Sequence, residues 1–379
     1  MTVLDPVRQK KAREYARLGR RLWLVDTAFS ALYALAWLFL GWSARLREAL
    51  EGITSNPWLV VAGFAAVFMG IYVLLSLPLG YYGGFVLPHR FGQSNQTRRG
   101  WITDQIKGMA IGAPLGLLLV ELLYLALRQT GSAWWLWAAG GMLLFSVLLS
   151  NLAPILIMPI FNKFVPLGED HAGLAERLMK LAERAGTKVR GVFKFDMSRR
   201  TKAANAALTG IGSTRRIVLG DTLLNEFTPD EIETVLAHEL GHQVHRDIPL
   251  MIAFGTLSTT LSLYLASLAL RWATGYFGFT GTADAATLPA LSLLLGAYGL
   301  ITMPIENAFS RWREGLADDY ALQVTGKNEA FMSAFTRLAN QNLGEVEPEG
   351  WVVWLFHSHP PLGARIAKAR AWKETEPRG

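Results

Sequence analysis

Residues 238–242 have the types and spacing for metal-assisted hydrolysis. The chain reads His238-Glu239-Leu240-Gly241-His242 within a stretch running from Thr228 to Asp247. Two histidines four apart on a helix share one face, so their imidazoles can hold a single zinc ion. Glu239 then projects beside the metal, where a carboxylate can take a proton from the attacking water. The motif has only three fixed positions, and a helix bearing two satisfied surface histidines would match it equally.

The local sequence must supply that helix. Thr228 followed by Glu231 forms a capping box, and Pro229 occupies the first helical position, where a missing N–H is harmless. Ile232, Val235, Leu236 and Leu240 give an apolar stripe at helical spacing. The helix is expected to end near Arg246, ahead of Asp247-Ile248-Pro249.

A hydrolytic zinc site needs a third protein ligand and one open position. The chain has no cysteine, so that ligand is a histidine or a carboxylate, and there are seven histidines. His245 lies too close to complete the set without distorting the helix. The best candidate is Ser310–Tyr320, where Glu314 and Asp318 stand four apart on one helical face. Glu314 can bind the metal while Asp318 accepts a hydrogen bond from the outer ring nitrogen of a ligand histidine. Taken alone, this pattern also suits a solvated face with Arg311 and Arg313 as ion-pair partners.

His357 and His359 sit in a loop before another expected helix. Hydrolysis needs a donor for the developing oxyanion, and His359 is the choice because the prolines after it fix an extended turn. On its own this fragment equally suits a loop histidine without a role.

These fragments, in this order, resemble the type 1 CAAX prenyl proteases, which are integral-membrane zinc metallopeptidases. Phe195–Gly210, with Ser198-Arg199 and Asn205-Ala206, is similar to a segment of that family. So are Arg215–Leu224 and the Arg90–Thr97 loop, so the likeness spans about residues 80–370. The resemblance implies one zinc per chain held by His238, His242 and Glu314, with Glu239 as general base. It implies Asp318 as a support for the ligands and His359 as oxyanion stabiliser. It places Asn205 on or beside an edge strand that receives an extended peptide by strand addition. Ala207 stands where the family usually has an aromatic, and Gly315-Leu316 replaces an aromatic–polar pair. A mid-helix glycine costs about 1 kcal/mol relative to alanine. These departures bear on substrate preference rather than on the metal.

The elements carrying the site lie in an apolar chain. Hydrophobic residues make up 51% of it, and long apolar runs at about 22–43, 58–79, 109–127, 134–158, 250–270 and 288–305 predict six spans. That is one fewer than is typical of the eukaryotic family members. Arg8, Lys10, Lys11, Arg13, Arg17, Arg20 and Arg21 precede the first span, which places the N-terminus in the cytoplasm. The first run is too long for a signal-peptide core and is expected to stay as an anchor. Segments 80–108, 159–249 and 306–379 are then cytoplasmic, so His238, Glu314 and His359 share one compartment. The formal charge of +7 is accounted for by basic segments near anionic lipid, and no nucleic-acid motif accompanies it.

The expected fold class is therefore mainly α: a polytopic membrane protein of about six spans with a small cytoplasmic α/β zinc metallopeptidase domain. The resemblance makes that domain one of the gluzincin type. Residues 1–158 form a membrane domain with four spans. Residues 159–379 form the peptidase domain, interrupted by the last two spans. Within it, 170–186, 328–343 and 363–373 read as helices, Val189–Phe195 and Arg216–Leu219 as strands, and the Asn205 segment as an edge. Asp26 and Glu121 fall inside spans, where an acid needs a partner or water. A water-filled intramembrane chamber, implied by the resemblance, would serve both, and so would an interhelical hydrogen bond. His89 and His171 read as surface residues and His245 as an interfacial one.

The expected function is zinc-dependent endopeptidase action on a peptide or protein, with or without a prenyl group, by a monomer in the bilayer. One alternative is a quality-control protease acting on non-prenylated membrane proteins. Another is a transporter or scaffold with a structural zinc, against which the base Glu239 argues.

Overall fold

Asp5 begins the first helix by accepting hydrogen bonds from the Val7 and Arg8 amides, with Pro6 at the first helical position. The computed structural model describes residues 3–210 and 214–372. Its membrane part comprises α1 (Pro6–Phe39), α2 (Trp42–Glu51), α3 (Pro57–Tyr81), α4 (Leu87–Arg90), α5 (Arg98–Gln129), α6 (Trp134–Leu152) and α7 (Met158–Phe161). An α/β unit follows, with β1 (Phe164–Pro166), α8 (Ala172–Arg184), β2 (Val192–Phe195), β3 (Ala206–Thr209), β4 (Arg216–Gly220), α9 (Asp221–Glu226) and α10 (Pro229–Val244). The chain ends with α11 (Asp247–Phe277), α12 (Leu288–Thr325), α13 (Asn328–Gln341), α14 (Gly350–Phe356) and α15 (Leu362–Ala371).

Six helical segments among the described residues are long and apolar enough to cross a membrane: 6–39, 57–90, 98–129, 131–161, 247–277 and 285–325. They correspond one to one with the six expected spans. The first differs at its end. It stops at Phe39 rather than at 43, because Gly41 adopts φ +70° and turns the chain into α2. Large apolar side chains such as Leu74, Leu75 and Ile301 remain exposed on the spans, as expected of helices whose solvent is lipid.

Two separate cores hold the molecule together. Phe64, Tyr124, Trp134, Leu270 and Leu291 centre one core among the spans. Leu178, Ile217, Leu219, Ile232, Leu236, Leu240, Leu322 and Phe331 centre the other, in the α/β unit. The second core packs α10 and α12 against a four-stranded sheet of order β1-β2-β4-β3. β2 and β4 are parallel, whereas β3 runs antiparallel to β4 and forms one edge of the sheet among the described residues.

The helices and strands expected in the second half of the chain are present with shifted ends. The 170–186 helix is α8, which starts at Ala172 after a short 3-10 turn and stops before Gly186 at φ +64°. β2 starts at Val192 rather than Val189, and β4 extends to Gly220. The last two helices are α13 and α15, and position 373 lies outside the described residues. His89 is not a surface residue. It is half-buried, with Nδ1 2.6 Å from the Phe85 carbonyl and Nε2 2.9 Å from the Gln96 carbonyl, and it pins the loop after α4. His171 is half-buried as well. Asp26 accepts an interhelical hydrogen bond from Tyr72 Oη at 3.2 Å, and the carboxylate oxygens of Glu121 are buried.

Both parts of the site are continuous with spans. α10 passes through a sharp turn at Arg246 directly into α11, and Glu314 lies on the same unbroken helix as the last span.

Candidate metal centre

The helix carrying the histidines starts where the sequence requires. Thr228 Oγ1 accepts from the Glu231 amide at 3.3 Å, and Glu231 Oε2 accepts from the Thr228 amide at 2.8 Å. Glu231 is itself buried and held by Ser333 Oγ at 2.6 Å and Arg337 Nε at 2.8 Å. The cap thus anchors α10 to α13 as well as starting it. α10 ends at Val244, with His245 as its cap residue.

α10 crosses α12 at close range, and the crossing assembles the site. His238 Nε2 lies 3.2 Å from Glu314 Oε2, and His242 Nε2 lies 3.5 Å from Glu314 Oε1. One ligand atom from each of His238, His242 and Glu314 falls within 4.8 Å of the others. The two imidazole rings are 4.8 Å apart and nearly perpendicular. Both rings aim Nε2 at the carboxylate and turn Nδ1 outward.

The outer nitrogens meet carboxylates. His238 Nδ1 is 3.0 Å from Asp318 Oδ1, in the arrangement expected from the spacing of Glu314 and Asp318. Asp318 is gripped in turn by Arg365, whose Nε donates to Oδ2 at 2.9 Å while its guanidinium stacks 3.9 Å from the Phe335 ring. His242 Nδ1 is 2.6 Å from Asp247 Oδ2. The sequence points to no role for Asp247 or Arg365, and to Arg313 only as an ion-pair partner on a solvated helix face. Asp247 had served only to mark the helix end, and its distance of five residues from His242 is the sole signal that could have singled it out.

His359 reaches the site from the loop after α14. Its Nε2 is 3.2 Å from Glu314 Oε1, and its Nδ1 is 2.9 Å from Ser358 Oγ. The ring stays largely open to solvent, at 61% side-chain exposure. The His357 carbonyl accepts from Arg311 Nη1 at 2.6 Å. Burial, the largest influence on it, pushes the His357 imidazole below its ordinary value.

Electrostatics follow from crowding. Burial and the Arg365 guanidinium both push the His238 imidazole down, but hydrogen bonds to Asp318 and Glu314 outweigh them and raise it to about 9. Burial likewise pushes the Glu239 carboxyl up, against the pull of the neighbouring histidines.

Asn205 lies immediately before edge strand β3, with its carbonyl accepting from the Gly220 amide at 2.9 Å. Its side chain is exposed and makes no hydrogen bond among the described residues. The preceding Ala204 is clamped on both backbone groups by Asn342. Asn342 Oδ1 accepts from its amide at 2.8 Å, and Nδ2 donates to its carbonyl at 3.1 Å. Asn342 gave no signal in the sequence, because the partner lies 138 residues away.

Spans, sheet and a His–His–Glu cluster beside a further glutamate define a membrane-embedded metallopeptidase. Residues 169–373 match peptidase family M48, and residues 2–163 match the CAAX prenyl protease N-terminal region, described as five membrane helices. The chain belongs to peptidase family M48. Among the described residues of that region, four helical segments are long and apolar enough to span.

It is 30% identical over 370 residues to the uncharacterized metalloprotease YhfN of Bacillus subtilis, covering 97% of this chain and 86% of that protein. It is 32% identical over 326 residues to CAAX prenyl protease 1 of Saccharomyces cerevisiae, covering 80% of this chain and 70% of that one. The crystal structure of S. mikatae Ste24p superposes with a TM-score of 0.82 at 27% identity, covering 97% of this chain and 90% of that chain.

Proposed function

We propose that the protein is a zinc endopeptidase cutting peptide bonds at the cytoplasmic face of the membrane. His238, His242 and Glu314 are the ligands of one zinc ion, Glu239 is the general base, Asp318 orients His238, and His359 stabilises the oxyanion. The observation that carries this reading is Glu314. Its Oε2 is buried without a hydrogen bond among the described residues, although two histidine Nε2 atoms face the same carboxylate. Two imidazole nitrogens and one carboxylate suit a catalytic zinc site, which keeps a further position open for water.

A zinc ion held there supplies Lewis-acid polarisation of the scissile carbonyl and acidifies water. The chain supplies the rest. Glu239 takes the proton from the attacking water and passes it to the leaving amine, a task suited to a carboxylate whose pKa is raised by burial. His359, on its exposed loop, turns from Glu314 to donate its Nε2 proton to the developing oxyanion. Asn205 and edge strand β3 hold the peptide extended by main-chain hydrogen bonds.

The basic segment before the first span supports a cytoplasmic site, by the positive-inside rule. The yeast relative's name is the support for a prenylated C-terminal peptide as substrate. We read the protein as a monomer that acts without nucleic acid. Mass spectrometry of products from prenylated and unprenylated versions of one peptide tests the substrate class. Faster cutting of the prenylated form is expected. Equal cutting of both would remove the prenyl requirement and leave a protease for unmodified membrane proteins.

A further inference from the structure

We infer that Asp247 and Arg313 are positioning residues for the proposed metal site, setting the tautomer and direction of His242 from the roots of the last two spans. The inference rests on the ligand assignment above and extends it to residues outside the His-Glu-x-x-His and Glu-x-x-x-Asp patterns.

The geometry is a three-membered chain. Asp247 divides its two oxygens, with Oδ2 2.6 Å from His242 Nδ1 and Oδ1 accepting from Arg313 Nε at 2.7 Å. Arg313 Nη2 also donates to Asp247 and, at 2.8 Å, to the His245 carbonyl at the end of α10. A carboxylate that accepts Nδ1–H leaves the Nε2 lone pair free, and Nε2 is the atom that faces Glu314.

Backbone and burial both point to a built feature. Asp247 reaches His242 because Arg246 takes φ +54°, a left-handed conformation uncommon outside glycine. That turn folds the first residue of α11 back under the last turn of α10. Asp247 and Arg313 are only 6% and 7% exposed. Burying an ion pair adds little stability over an apolar pair of the same shape, so its presence calls for a role in registry.

The arrangement is also repeated. His238 is held by Asp318 and Arg365, and His242 by Asp247 and Arg313. The first arm ends on α15 of the α/β unit. The second joins α11 and α12, both continuous with spans. Both arms thus pass through α12, the first reaching α15 and the second the junction of α10 and α11.

The test is metal retention by purified full-length protein against a chelator, alongside the absorption spectrum of the cobalt-substituted form. In Asp247→Asn the amide carbonyl turns to Arg313 and the NH2 faces His242 Nδ1, which puts the ring proton on Nε2, the nitrogen the metal needs. About 10- to 100-fold faster metal loss and an altered cobalt spectrum are expected, with metal-free unfolding unchanged. If D247N does not accumulate, the double variant D247N/R313Q, which removes both buried charges, replaces it with the same expectation. Metal loss within about twofold of wild type, or a lowered metal-free unfolding temperature without faster loss, overturns the inference. Glu314→Gln separates the two levels. If E314Q also keeps its metal, the ligand assignment itself fails. If E314Q loses metal and D247N keeps it, only the positioning role fails.

Discussion

Gly241 lies so close to Ala317 that a methyl group on it would sit 2.9 Å from Ala317 Cα and 3.1 Å from Ala317 O. Both obstructing atoms are backbone, so no side chain can swing aside. The contact sets the crossing of α10 and α12, and with it the approach of His238 and His242 to Glu314. Gly241→Ala should force the helices apart at a cost of about 1–3 kcal/mol. The added methyl touches no ligand, yet bound metal and peptidase activity should both fall. Wild-type metal content in G241A, measured by atomic emission, would show that the crossing tolerates wider spacing.

Glu239 and Glu314 both stand at the site but should fail differently. Glu239→Gln keeps all three proposed ligands and loses only the proton acceptor, so metal stays while turnover drops about 10²–10⁴-fold. Glu314→Gln should deplete the metal itself. Comparing metal stoichiometry with single-peptide turnover in both variants decides the assignment. Full activity in E239Q would refute the base.

His359 separates from both. Truncating it to alanine should leave metal content unchanged and lower kcat about 10²–10³-fold, as when one oxyanion donor is removed. Its hydrogen bond to Ser358 lies outside the α10–α12 crossing, so unfolding temperature should hardly move. A rise in KM with normal kcat would reassign His359 to peptide binding.

How far these residues were legible depended on the range of their interactions. Thr228 and Glu231 cap a helix through bonds three residues long, and Glu314 and Asp318 share a face through helical spacing, so both pairs could be seen in the chain. Asp247 could not, because the left-handed turn at Arg246 that returns it to His242 carries no glycine to announce it. Arg365 and Asn342 act on partners 47 and 138 residues away. His89 was misread for a related reason. It binds carbonyl oxygens of Phe85 and Gln96, which have no side-chain signature. The six spans were visible because composition alone identifies them. Their ends shifted where Gly41 or a helix continuing past the apolar run decided the stop.

Glu231 gives the start of α10 a dependence on pH. Burial alone would raise its carboxyl, but hydrogen bonds from Ser333, the Thr228 amide and Arg337 outweigh this and hold it below its ordinary value. Its folded value is the lower one, so its contribution is complete above the unfolded value and is lost as pH falls through the folded one. Glu231→Gln should cost about 1–2 kcal/mol at neutral pH and flatten the acid limb of the stability profile. Thermal unfolding of both proteins across the acid range checks this. Parallel profiles would mean that Glu231 titrates alike in both states.

Asn342 gives a test of the substrate edge that leaves the metal untouched. Its carboxamide satisfies both backbone groups of Ala204, which is 4% exposed, and so takes the place of a neighbouring strand just before Asn205. Asn342→Ala leaves a buried N–H and C=O unpaired, a loss of about 1–3 kcal/mol. The segment entering β3 should loosen, and an extended peptide should bind more weakly there. KM should rise several-fold while kcat and metal content stay near wild type, because the ligands stand on α10 and α12 rather than on the sheet. Asn205→Ala should raise KM without the stability loss, since its exposed side chain bonds to nothing else among the described residues. If both variants bind and cut peptide normally, the substrate does not lie along β3.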